Sequence, residues 1–376
     1  MAHVVERIVA IVVGILLVCW VLDAAIRNFL LPRASRVRLT QWISRVVARV
    51  FNLFARPSQP YERRDKVLAM RPPFTLLAFQ AVWLFIVFVG FVLIFWGAAE
   101  EVSWRTAMNE SGSALFTLGF ATPESGVPFF VVFAEAVIGL TLTALLISYL
   151  PTIYAAFQKR EFMVAKLAVR TGSSGAPWRA LSVAHITGSL EWMDTSFWQE
   201  WEDWFIDIAE SHTSLTILNF YRSPDPSNHW ISAARTVLDM AALRIAAVDR
   251  PTTVGPQIAI RNGTIALRVL ARHFRIEHDP DPQPHHPISL TREHFDVACR
   301  MMEESGVPIV ADRDAAWIAF AGWRVNYDTI IEQAAVAFMA PPSPWDTIAD
   351  AQPVNAALFP KAAGGAIVGA GDDSPL

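Results

Sequence analysis

Three stretches near the start of this chain are too long and too apolar for an ordinary soluble domain. The first runs from about Ile8 to Ile26 with Asp23 as its only charge, the second from Phe74 to Gly97 with none, and the third from Phe129 to about Phe157 with Glu135 alone. Each is close to, or above, the roughly 20 apolar residues that a bilayer core demands. Backbone at that depth must satisfy its own hydrogen bonds, so each stretch is expected as a transmembrane helix. The first reads as an uncleaved anchor: its flank carries only Arg7, and Val18 rather than a small residue precedes Cys19. Apolar residues make up 53% of the chain but thin out after Phe157, where a water-soluble helical domain is expected. Cys19 and Cys299 supply neither a disulfide framework nor a metal spacing.

Charge orients the spans. Ten arginines and one lysine lie from Arg27 through Arg71 against two acids, Glu62 and Asp65. Lys159, Arg160, Lys166 and Arg170 follow the third span, whereas the second and third are joined by a loop with Glu100, Glu101, Glu110 and Glu124 against Arg105. The positive-inside rule puts the first linker and the C-terminal domain in the cytoplasm, and the loop and N-terminus outside. The expected location is the inner (plasma) membrane.

The linker itself is amphipathic. Leu39, Trp42, Ile43, Val46, Val47, Val50, Phe51 and Phe54 recur at helical spacing, with Arg38, Gln41, Arg45, Arg49 and Asn52 on the other face. Two placements fit: a slide helix in the inner-leaflet interface, with Arg38, Trp42, Arg45 and Arg49 at headgroup level, or a helix packed on the soluble domain. The arginines do not recur every third residue through a span, which argues against a voltage sensor.

The loop between the second and third spans has room for a short helix, a turn and an extended return. Trp104 to Phe116 reads as that helix, with Ser103 as N-cap. Its C-terminal end would present the negative end of the helix dipole. Next come Thr117-Leu118-Gly119-Phe120-Ala121. Thr117 to Phe120 resembles the start of a potassium-channel selectivity filter, in which backbone carbonyls replace an ion's hydration shell. With its flanking spans, the segment from Phe74 to Phe157 resembles the outer helix, pore loop and inner helix of bacterial two-helix potassium channels. This resemblance implies a re-entrant pore loop in a fourfold pore, so one loop per chain implies a homotetramer. The chain departs from the family at Phe116, at Ala121 in place of the second filter glycine, and at Thr122 in place of the following acid. Left-handed backbone costs alanine roughly 1–2 kcal/mol, so the outer end of the filter is expected to be altered and discrimination against sodium to be weak.

The third span carries the remaining pore candidates. Gly139 lies near its middle, where an inner helix bends; Thr143, Ile147 and Tyr154 follow on one face, and Pro151 breaks the hydrogen-bond ladder. The cavity is expected at Thr143 and the constriction from Ile147 to Tyr154. Glu135 either attracts cations into the cavity or sits behind the filter, hydrogen-bonded to the pore helix; its level favours the second.

The soluble part reads as helices near Trp192–Glu210, Trp230–Val248, Ile258–Phe274, Thr291–Glu304 and Asp314–Met339, after a break at Gly172–Pro177. Trp198, Trp201, Trp204, Phe205 and Ile208 form an aromatic stripe for a core or a subunit contact. Residues 210–214 and 322–328 resemble an uncharacterised region that accompanies bacterial pore loops. No Gly-x-Gly-x-x-Gly pattern supports a nucleotide domain. His278, Asp279, Asp281, His285 and His286 crowd one loop, better read as polar than as a metal site.

The chain thus divides into an anchor (1–32), an interfacial linker (33–72), a pore domain (73–157), a helical cytoplasmic domain (158–345) and a disordered tail (346–376). The expected function is a potassium-permeable cation channel, gated by its cytoplasmic domain, with no enzymatic activity. It needs no cofactor beyond a permeant monovalent cation, potassium. Its partners are copies of itself and lipid, not nucleic acid, with room for an unidentified cytoplasmic ligand. The alternative is a membrane-anchored sensor or scaffold with a non-conducting loop.

Overall fold

Long apolar runs should fold as helices, and these do, with Gly14, Gly90, Gly139 and Pro151 inside them. The computed structural model describes residues 2–29, 31, 37–98, 102–121, 127–172 and 175–354. Among these the chain is all-α: thirteen α-helices and short 3₁₀ turns, with one isolated bridge between Val248 and Ile309. Three helices are long and apolar enough to cross a membrane: α1 (Ala2–Phe29), α4 (Arg71–Ala98) and α6 (Val127–Thr171). At a rise of about 1.5 Å per residue, α1 and α4 each reach about 42 Å, more than the hydrocarbon core needs. Between them lie α2 (Arg38–Phe54) and α3 (Tyr61–Ala69), and α5 (Trp104–Leu115) precedes α6. Glu100, Glu101, Thr122 and Glu124 fall outside the described residues.

The described chain divides into two units, residues 1–160 with 210–226, and residues 161–209 with 227–376. In the first, α1 and α4 run antiparallel. Arg7 donates to the Trp96 carbonyl at 2.9 Å at one end, and Phe29 meets the edge of Trp83 at 5.2 Å towards the other. The two backbones touch where Gly14 faces Gly90: a methyl group on Gly14 would collide with the Gly90 carbonyl. Small residues of this kind let membrane helices approach closely where hydrophobicity alone cannot drive them together. Val21, Trp83, Val87 and Phe95 fill the remainder of this core.

Helix α2 uses its apolar face twice. Leu39 and Ile43 are buried, and Phe51 packs on Phe74 of α4 at 5.8 Å. Trp42, Val46, Val50, Leu53 and Phe54 remain exposed beside the exposed Arg38, Arg45 and Arg49. The helix therefore packs on the apolar helices along one edge and leaves a second apolar edge bare.

Residues 210–226, expected inside the soluble domain, group with the long apolar helices. Arg160 of α6, fully buried, donates to the carbonyls of Leu218 and Tyr221, both at 2.9 Å. Arg222 pairs with the buried Asp65 at 3.4 Å, and Arg71 lies over the Phe220 ring. These polar anchors have no hydrophobic periodicity and so leave no local signal.

The second unit adds α7 (Pro177–Ile186), α8 (Trp198–Ser214, reaching into the first unit's residues), α9 (Trp230–Ala246), α10 (Gly255–Phe274), α11 (Arg292–Glu304), α12 (Arg313–Arg324) and α13 (Asp328–Ala337). Helix α7, absent from the sequence reading, starts at a proline in its first turn, where the missing N–H costs nothing. The aromatic stripe of α8 is core: Trp198, Trp201, Trp204, Phe205 and Ile208 are all buried, with Phe205 against Gly263 of α10. The single helix expected over Asp314–Met339 is two. Residues 325–327 turn there because Asp328 is needed as an acceptor for Ser289 N–H at 2.8 Å, Ser289 Oγ at 2.7 Å and Arg324 Nε at 2.8 Å. A disordered tail is expected from 346, but residues 346–354 are described in the structure. Trp345, Ile348 and Val354 are buried, and the Trp345 indole donates to Asp239 at 2.7 Å; residues 355–376 lie outside the described residues.

Asp239 centres a buried ionic network. It accepts from Arg324, from the Tyr327 hydroxyl at 2.9 Å and from Trp345, while Arg324 also reaches Asp328 and Arg235 pairs with Glu332 at 2.8 Å. The carboxylates around Arg324 hold its guanidinium charged despite its burial, and burial raises the Tyr327 hydroxyl well above the ordinary tyrosine range. Such a network locks helices together at a high desolvation cost.

Candidate functional site

Helix α5 starts where its cap predicts: the Ser103 side chain accepts from Thr106 N–H at 3.1 Å. Small side chains let it sink against its neighbours, with Ala107, Ser111, Ser113 and Ala114 buried. Its other end closes with a defined motif. Thr117 N–H donates to Ala114 O at 3.0 Å and Leu118 N–H to Ser113 O at 2.8 Å. This is the paired C-terminal cap that places its central residue in left-handed backbone, ordinarily a glycine. Here that residue is Thr117, at φ +51°. A β-branched side chain in this region is an outlier costing roughly 1–2 kcal/mol.

Gly119 follows at φ +72°, while Leu118, Phe120 and Ala121 are not left-handed. Successive residues of opposite hand turn neighbouring N–H groups to one side, and hence their carbonyls to the other. Ala121, which stands where the filter family has its second glycine, does not extend the alternation. The loop is tied back by Ser113, whose hydroxyl accepts from Ala121 N–H at 3.1 Å while its carbonyl holds Leu118. Among the described residues, no donor reaches the carbonyls of Thr117, Leu118, Gly119 and Phe120. The side chains of Leu118 and Phe120 are exposed, at 63% and 66%.

Glu135 is fully buried and accepts from the Ser111 hydroxyl of α5 at 2.6 Å. This is the hydrogen bond to the short helix that the second of its two expected placements includes. Gly139, one turn further along α6, touches the end of α5: a methyl group there would stand 2.7 Å from the Leu115 carbonyl. Its surroundings require a glycine for close approach, apart from any bend. Thr143, Ile147, Pro151 and Tyr154 share the exposed side of α6, Ile147 at 63% and Tyr154 at 57%, and the helix runs unbroken through Pro151. The Thr143 hydroxyl donates to Gly139 O at 3.0 Å and accepts from the Gln80 amide at 3.2 Å. The structure thus brings residues 117–121, Glu135 and Gly139 together around the end of α5 and sets the other four along one open face.

Ser111 and Ser113 were not singled out in the sequence. Their spacing on a short helix rich in small residues was the available signal. In the 278–286 loop, His286 pairs with Asp279 at 3.0 Å, and no group of three metal-ligating side chains forms among the described residues. No protein-family model, curated protein or solved structure matches this chain.

Proposed function

We propose that this chain is one subunit of a homotetrameric, potassium-channel-like cation pore, with α4, α5 and α6 as outer helix, re-entrant pore helix and inner helix. The observation that carries the reading is the run of four carbonyls, Thr117 to Phe120, beyond the C-terminal end of α5, to which no donor among the described residues reaches. Carbonyl oxygens at membrane depth need a partner, and a dehydrated monovalent cation on a symmetry axis supplies one. Left-handed Thr117 and Gly119 aim the peptide units, Ser113 holds the return strand, and Glu135 with Ser111 backs the helix. Thr143 would line the cavity, and Ile147, Pro151 and Tyr154 the inner constriction, which the cytoplasmic helical domain would gate. The filter ends early at Ala121, so potassium would pass with weak discrimination against sodium.

The charge asymmetry orients the linker and soluble domain to the cytoplasm and the α5 loop outward. The bare apolar edge of α2, bordered by Arg38, Arg45 and Arg49, suits the inner-leaflet interface. A non-conducting sensor is the competing reading, favoured by the helix cap that by itself accounts for Thr117. Purified protein in planar bilayers decides: cation currents lost in Gly119→Asp support the pore, and a silent wild-type protein leaves the sensor.

A further inference from the structure

At the end of α1 that follows its apolar run, a cavity of about 200 Å³ opens between three elements of the first unit. It is lined by Asn28, Phe29 and Leu31 from α1 and its exit, by Leu145, Ser148, Tyr149 and Thr152 from α6, and by Ser214 and Leu215. The Ser148 hydroxyl is spent on the Leu145 carbonyl at 3.0 Å. The side-chain polar groups of Asn28, Tyr149, Thr152 and Ser214 make no hydrogen bond among the described residues. Four uncharged polar side chains from three elements, Thr152 exposed and the others half-buried, therefore line one cavity. The walls are firm: Tyr149 meets the edge of Phe29 at 4.6 Å, and Arg160 ties the 214–222 segment to α6.

A void of this size holds about six waters at the volume of the liquid, or a small polar headgroup. No charged side chain lines it, so a phosphate or ammonium would be stranded without a counter-charge. Phe29, Leu31, Leu145 and Leu215 give it an apolar share, and Ile26, Leu31 and Leu150, each about half exposed, mark a path for acyl chains. We propose that the cavity binds the neutral, hydroxyl-bearing glycerol headgroup of a membrane glyceride. Asn28 and Tyr149 can each donate and accept, and Thr152 and Ser214 supply rotatable hydroxyls, a set suited to two adjacent alcohols. Its occupant would touch α6 beside Pro151; that consequence for the inner constriction rests on the pore reading, whereas binding does not.

The test uses the full chain in phosphatidylcholine nanodiscs with a diacylglycerol carrying a photoreactive diazirine. Saturable labelling is expected within residues 26–31 and 145–152, displaced by unlabelled dioleoylglycerol and not by free glycerol. Thr152→Val with Ser214→Ala removes two hydrogen bonds and should weaken half-saturation about tenfold. Asn28→Leu, nearly isosteric but without the amide's donor and acceptor, should weaken labelling there further. Displacement by free glycerol would overturn the glyceride in favour of a soluble polyol. Labelling spread over the exposed face of α1 and unchanged by the variants, or no labelling at all, would overturn the site. A chain that binds but never conducts would refute the pore and leave this site standing.

Discussion

The hydroxyl of Ser111 on α5 donates a 2.6 Å hydrogen bond to Oε1 of Glu135 on α6, with both side chains buried. It couples the helix that ends in the Thr117–Ala121 loop to the helix that would line the pore. Removing the hydroxyl strands a buried acceptor and should cost about 1–3 kcal/mol. Glu135→Gln keeps an acceptor and should cost less. Thermal unfolding of the solubilised protein checks the order; a Glu135→Gln protein less stable than Ser111→Ala would contradict the assigned geometry.

Gly139→Ala places a methyl group 2.7 Å from the Leu115 carbonyl, so α5 or α6 must move. Overpacking of this kind costs about 1–3 kcal/mol. The variant should show a lowered melting temperature together with lost or noisy conductance. An alanine tolerated in both respects would mean that the two helices do not meet there.

Among the described residues nothing lies within 4 Å of a methyl group built on Gly119, whose φ is +72°. Gly119→Ala therefore acts through backbone conformation alone, at roughly 1–2 kcal/mol per subunit. Assembly measured by native mass should be retained while conductance falls. Loss of assembly would show that the loop holds subunits together and does not serve ions.

Burial pushes the Cys299 thiol up from 9.0 to about 11. A raised folded value favours the protonated form, so its contribution to stability is complete below pH 9 and is lost as pH rises towards 11. That difference between the folded and unfolded thiol corresponds to about 2–3 kcal/mol. Cys299→Ala should show a smaller alkaline loss of stability than the parent, and Cys299 should resist maleimide at neutral pH until the chain unfolds.

Arg324 is fully buried among Asp239, Asp328 and Glu332. Arg324→Met leaves Asp239 and Asp328 without their cation, while Glu332 keeps Arg235, and should destabilise the soluble unit by about 3–5 kcal/mol. Denaturant unfolding followed by tryptophan fluorescence reads this directly, because Trp345 donates to Asp239.

The features legible in the sequence were those with local signals. Long apolar runs gave α1, α4 and α6; Ser103 followed by a short helical window gave α5 with its cap; three-four spacing gave α2. The stripe from Trp198 to Ile208, expected as core or subunit contact, is core. Contacts between distant residues left no such trace. Asp239 meets Arg324 across 85 positions, and that network splits the helix expected over Asp314–Met339 and reaches on to Trp345. Residues 210–226 join the apolar helices through Arg160 and Arg222, whose charges looked like surface residues. At the candidate site, Thr117 and Gly119 were legible by resemblance. Ser113 was not, because its role needs one hydroxyl and one carbonyl of the same residue to meet both sides of a loop.

The central claim is that the carbonyls of Thr117 to Phe120 conduct cations. The most direct measurement is the reversal potential of the purified protein in a planar bilayer with a potassium chloride gradient. The account predicts a reversal near the potassium equilibrium potential, shifted modestly when sodium replaces potassium on one side, and no current in Gly119→Asp. A reversal that follows chloride, or current that survives Gly119→Asp unchanged, would contradict it.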